Sequence, residues 1–198
     1  MAGRLAAQVR AGNRAALARM AARLDGVSEK ALQKQAARAM VSVRRKAQPL
    51  AKRIVRQTYA VQSTALSDAF DAASGVEGGQ AFVALRARVA PVSLIRFGGR
   101  WNKRGAGATA EIMRGERKTY ESAFISVMPN GGRHIFARAP QGNGKRAPRL
   151  PLRRLHGPSA YQMVQGKRGE TADQVTEELA AYAADETLRL IAAARKGR

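Results

Sequence analysis

AFISVMPNGGRHIFARAPQGNGKRAPRLPLRRLHGPS, residues 123–159, is the stretch whose reading decides the fold. SAFISVM (122–128) and RHIFARA (133–139) alternate large apolar with polar or small side chains, the twofold period of half-buried strands. Pro129-Asn130-Gly131-Gly132 between them is a hairpin signal, because Asn-Gly tolerates the positive φ angles of a tight turn. A basic, Gly-rich stretch at 141–148 reads as an exposed loop, and RLPLRRL (149–155) as a further strand. Gly157-Pro158-Ser159 predicts a turn into a helix, with positive φ at Gly157, Ser159 near the cap and His156 as a turn residue. The hairpin is the scaffold, and the basic loops are what it presents.

Working outward, the twofold period begins near Gln80, in AFVALRARV (81–89), PVSLIRF (91–97) and ATAEIM (108–113). Residues 98–107 hold too much Gly and charge to pack and read as a long mobile loop. Before residue 80 the period is helical. Leu32, Ala36, Ala39/Met40, Val43, Ala47, Leu50 and Ile54 recur at steps of three and four, a long amphipathic helix with Ser28 as its cap. Pro49 removes a backbone donor and predicts a kink or short break. A second, shorter helix is expected from Ser63 or Thr64 through Phe70 to Ala73, ended by Gly75 to Gly79. After Gly169 a final helix opens with Thr171 as cap and buries Val175, Leu179, Tyr182, Thr187/Leu188 and Ile191. Six of the chain's 14 acids lie on it, so its outer face could meet a basic surface of a neighbouring copy.

The expectation is therefore an α+β fold, with a long N-terminal helix and a C-terminal helix packed on a small antiparallel β-sheet with long basic loops. Residues 1–27 form a basic, helical extension, with Leu5, Val9, Ala16, Leu17, Met20 and Leu24 along one side. Residues 28–198 form one α+β domain: helices at 28–74, sheet and loops at 80–156, C-terminal helices at 158–198.

Composition bounds the function. The chain of 198 residues has 36 Lys+Arg against 14 Asp+Glu, a net charge of +22, and only 5% aromatics. Self-repulsion at that charge disfavours a compact monomer and calls for a polyanion or an acidic protein neighbour. Cys is absent, which excludes disulfides, thiolate metal sites and Cys nucleophiles. No window approaches the ~20 apolar residues of a membrane span, so no membrane partner is expected. The Arg/Ala-rich start superficially suits an organellar transit peptide, but its one-sided apolar spacing favours a helix of the protein itself.

Chemistry is scarce. His134 and His156 have neither metal-pair spacing nor a nearby acid, and three ligands are needed for a metal site. Glu111, Glu116 and Glu121 are interleaved with Arg114, Arg117 and Lys118, as in ordinary surface ion pairs. No GxSxG elbow and no Walker loop is present, and neither a catalytic residue nor a cofactor is expected. Phosphate contact is better supported. Residues 1–60 carry 14 Lys+Arg against two acids. Arg44-Arg45-Lys46, Arg100/Lys103/Arg104, Lys145/Arg146/Arg149 and Arg153/Arg154 are candidate contacts to DNA or to a partner. With Trp101 alone for stacking and no recognition motif, sequence-specific readout is not expected. A non-specific nucleic-acid-binding protein remains the alternative, and a solvated or protein-docking surface the bland one.

Order and spacing carry a resemblance. A long Arg/Ala-rich helix, PVSLIRFGGR, a Gly-and-basic loop, YESAFISVMPNGGRHIFARA and RLPLRRLHGPSAYQMV together resemble the minor tail protein Z family of tailed bacteriophages, over about residues 28–190 and most specifically 120–164. The first 25 residues and the loop at 98–107 align with nothing in it. The resemblance implies a virion structural protein, made in the host cytoplasm, that completes the head-proximal end of the tail and is needed for head–tail joining and DNA seating. It implies a homo-oligomeric ring, commonly sixfold, around the DNA channel. Implied partners are the tail terminator, tail tube, tape measure or head–tail connector, with double-stranded DNA in the lumen. A head–tail adaptor or terminator has similar surroundings and is a further alternative.

Overall fold

The helical spacing after Glu29 becomes α1 (Glu29–Thr58) in the computed structural model, which describes residues 29–77, 80–102, 107–138, 151–166 and 170–196. The expected cap Ser28, the basic extension 1–27 and the loop 141–148 lie outside the described residues. Ala39, Met40, Val43, Ala47 and Ile54 are buried, as their spacing predicts, Ala36 and Leu50 are half-buried, and Ala51 and Val55 join the buried side. The helix runs through Pro49 without the expected break. Fully burying a Val or Ile contributes about 1.5–3 kcal/mol, so Val43, Ile54 and Val55 together outweigh the roughly 3 kcal/mol cost of an interior Pro. Pro49 is exposed, and so is Arg45, whose carbonyl loses its helical donor and can turn to water.

The short helix expected at 63–73 is instead a 3-10 turn, Ser63–Leu66, followed by β1 (Phe70–Glu77). β1 pairs antiparallel with β2 (Gln80–Ala87), from Phe70↔Ala87 to Glu77↔Gln80, so Gly75, expected to end a helix, lies inside a strand. Leu66, Ala69, Phe70 and Ala72 are buried, and tertiary pairing overrides so short a local pattern. PVSLIRF divides into β3 (Pro91–Ser93) and a 3-10 turn, Leu94–Arg96, that drops Leu94 and Phe97 into the core. The expected loop at 98–107 opens with β4 (Arg100–Trp101), which pairs with β5 (Ala108–Glu111), and β5 pairs with β6 (Arg117–Tyr120). The Glu111 carboxylate meets Arg117 at 3.2 Å, the surface ion pair the sequence predicts.

The hairpin of the opening segment forms as read, with β7 (Ala123–Val127) against β8 (Arg133–Arg138) in the register Val127↔Arg133. Gly131 N–H donates to Met128 O at 2.8 Å and Met128 N–H to Gly132 O at 2.9 Å. Gly131 takes φ 76°, whereas Asn130 does not enter the positive region and accepts from Gly132 N–H through Oδ1. β9 (Leu152–Arg154) adds to β8.

Residues 157–159 are not a turn. They belong to β10 (His156–Ser159), which pairs with β3 through His156↔Ser93 and Ser159↔Pro91 with an irregular register between. His156 is accordingly a strand residue, and Gly157 has no positive φ. Its requirement for glycine is contact: a Cβ there would lie 2.5 Å from Cε2 of the fully buried Phe97. Ser159 does cap α2 (Ala160–Gln165), in a reciprocal capping box with Gln162.

α3 (Glu170–Lys196) starts ahead of Thr171, which is a buried residue of its first turn and not its cap. It buries Val175, Leu179, Ala183, Thr187 and Ile191. α1 and α3 lie against one another, with Arg53 paired to Glu178 across them. Glu186, expected on the outer face, is buried; Arg189 at 2.8 Å, with a further hydrogen bond from Ser42, holds its carboxyl below the usual range. One apolar cluster joins α1, β1–β2, Phe97, Ile135, Met163 and the inner side of α3. The fold class is α+β, with the antiparallel strands divided among four small sheets among the described residues.

Candidate functional site

The expected basic residues that the structure describes lie on three elements. Arg44, Arg45 and Lys46 are exposed on α1, but Arg44 Nε donates to Ala72 O of β1 at 2.9 Å and so ties helix to hairpin. Arg100 is exposed on β4. Arg153 and Arg154, both exposed on β9, are successive strand residues and therefore point to opposite faces. Lys103, Arg104, Lys145, Arg146 and Arg149 lie outside the described residues.

Among the described ones, Arg154 reaches a cleft that the sequence reading did not foresee. Its volume is about 330 Å³, and its wall carries Arg88, Arg96, Arg154, His134, Ser93 and Asp68. Each arginine stands on hydrogen-bonded backbone. Arg88 follows β2, with its N–H donating to Ala69 O at 2.9 Å and its carbonyl accepting from Tyr161 N–H at 3.0 Å. Arg96 closes the 3-10 turn after β3 and accepts from Gln62 N–H at 2.9 Å. Arg154 pairs with Phe136, and the next residue, Leu155, bonds Ile135 O and accepts from Leu94 N–H. Among the described residues none of the three guanidinium groups has a hydrogen bond or ion pair with the protein.

His134 lies behind them on β8, its Nδ1 3.1 Å from the hydroxyl of the buried Ser93. Burial lowers its pKa, and the charges of Arg154, Arg96 and His156 lower it further. A second cleft of about 350 Å³ shares Arg96 and adds Arg133 and the hairpin glycines Gly131 and Gly132. Arg88, Arg96 and Arg133 were missed because each is a single cation in an alternating or turn segment, where it reads as a solvated position. Only pairing across β2, β3, β8 and β9 assembles them.

Among the described residues no group of three His, Cys, Asp or Glu is placed to hold a metal ion, and no helix is long and apolar enough to cross a membrane. The arrangement can present positive charge to an anion. Comparison with known proteins finds a match to the family model described as prophage minor tail protein Z (GPZ), over residues 6–193. The match starts inside the basic N-terminal segment, so that segment, expected to align with nothing, lies largely within the family's pattern. No curated protein and no solved structure matches the chain.

Proposed function

We propose a specific place in the virion for this chain, which belongs to the prophage minor tail protein Z family and is therefore a structural protein of a phage tail. It completes the head-proximal end of the tail as a homo-oligomeric ring, sixfold by the usual symmetry of that region, around the DNA channel. There it joins tail to head and seats the DNA. The observation that carries the reading is the family match along nearly the whole chain, 6–193. Charge supports it: +22 on 198 residues is costly for an isolated molecule and suits a wall facing DNA or acidic neighbours. Exposed Val76, Trp101, Val127, Met128 and Leu152 supply apolar surface for neighbouring copies, terminator, tube or connector.

The test is a phage from which the gene is deleted, with gold-labelled chain supplied in trans and the particles viewed by negative stain. Label at the head-proximal tail end, and unjoined heads and tails without the chain, are expected. Label at the distal tip, or full infectivity in its absence, overturns the assignment. Arg153→Glu with Arg154→Glu is expected to lower infectivity while the purified chain keeps its circular dichroism spectrum.

A further inference from the structure

We infer that the cleft between β3, β8–β9 and the end of β2 is a phosphate-binding site, and that its ligand is the backbone of double-stranded DNA. Arg88, Arg96 and Arg154 converge on one opening of about 330 Å³. Their guanidinium groups lack protein partners among the described residues, although arginine is the side chain best shaped for bidentate contact with phosphate. Asp68, the acid on the same wall, lies beyond the 4.0 Å ion-pair limit from all three. Three uncompensated like charges in one concavity repel, and a bound anion relieves that repulsion.

The backbone under each arginine is fixed by hydrogen bonds to other elements, so the roots of the three side chains are placed before any ligand arrives, and the ligand orders the guanidinium groups. Thr64 and Ser67 add hydroxyls to the wall, and the second cleft continues the positive surface from Arg96 to Arg133. A single carboxylate of an acidic protein would meet an excess of cations here. A phosphodiester chain presents successive charges and matches a surface that continues past one opening. The inference rests on the proposed position beside packaged DNA. The purified chain tests the site and labelled particles test the position, so either can fail alone.

The experiment measures binding of the full chain to a fluorescent 20-bp duplex of arbitrary sequence between about 50 and 200 mM NaCl. The cleft variant carries Arg88→Ala, Arg96→Ala and Arg154→Ala; a charge-matched control carries Lys34→Ala, Arg38→Ala and Arg56→Ala on exposed positions of α1. The cleft variant is expected to lose roughly tenfold or more in affinity at low salt. Its slope of log K against log salt should fall by about 2–3, roughly one per lost phosphate contact, while the control keeps most of both. Equal losses in the two variants would reduce the effect to net charge and overturn the proposal. Two further arms use inorganic phosphate and polyglutamate at matched ionic strength. If either binds with the same dependence on the cleft while duplex binding ignores it, the ligand is a free anion or an acidic protein, and DNA is excluded. Circular dichroism confirms folding, and the single-site variants read the same dependence if the triple variant fails to fold.

Discussion

Gly157 and Phe97 show how much rests on one missing methyl group. A Cβ at residue 157 would lie 2.5 Å from a ring that has no exposed surface, so Gly157→Ala should destabilise by about 1–3 kcal/mol, read as a lower urea midpoint. Because the cause is overpacking and not backbone strain, Phe97→Leu in the same chain should recover part of the loss. Strict additivity of the two changes would refute that cause. The sequence marked Gly157 as special for another reason, a turn, since nothing local says that Phe97 lies beneath it. His134 offers a second residue-scale reading. Its pKa is lowered by burial and then by Arg154, Arg96 and His156, so the unfolded chain takes up its proton first as pH falls. Its contribution is fully present above the ordinary value of about 6.5 and is lost as pH falls from there through the lower, folded value. His134→Gln should flatten that part of the stability profile in denaturant titrations between pH 7.5 and 5. Asp68, Arg88, Arg96 and Arg154 line the same cleft, and the charge of His156 also acts on His134. His156→Gln is therefore the companion variant.

Among the elements, α1 was the most legible and its proline the least. Of the apolar positions at helical spacing, Ala39/Met40, Val43, Ala47 and Ile54 are buried and Ala36 and Leu50 half-buried, because a 30-residue amphipathic pattern has few competing explanations. The pattern could not say that β1–β2 and α3 would pack on the helix and hold it through Pro49. Pro49→Ala should therefore stabilise the protein by about 1–3 kcal/mol by restoring a donor to Arg45 O, measured as a rise in Tm. No rise would mean that the surroundings have adapted to the ring. The strands divide along the same line. β7 and β8 were readable from alternation and an Asn-Gly turn, whereas β4, β6 and β10 are too short for a period. They exist because partners lie beside them. The cleft lies among such long-range pairings. Arg154 was visible as half of an Arg-Arg pair, while Arg88 and Arg96 become neighbours of it only once β3, β8 and β9 are in place.

For the molecule as a whole, charge was legible and its placement was not. At +22 the isolated chain should gain stability as salt screens its repulsion, with Tm rising between about 20 and 200 mM NaCl, where the Debye length falls from roughly 20 to 7 Å. A flat or falling Tm would show that the fold already disperses its charge well enough. The contact between α1 and α3 has a consequence of another kind. The two helices stand far apart in the described chain, so α3, the partner of α1, is synthesised well after it. At about 5–20 residues per second, translation takes roughly 5–30 seconds to pass from the end of α1 to that of α3. During that interval β1–β2 can shelter one flank of the nascent helix and the other stays open to chaperones. Correct folding of this protein is thus a question of timing during synthesis as well as of fit.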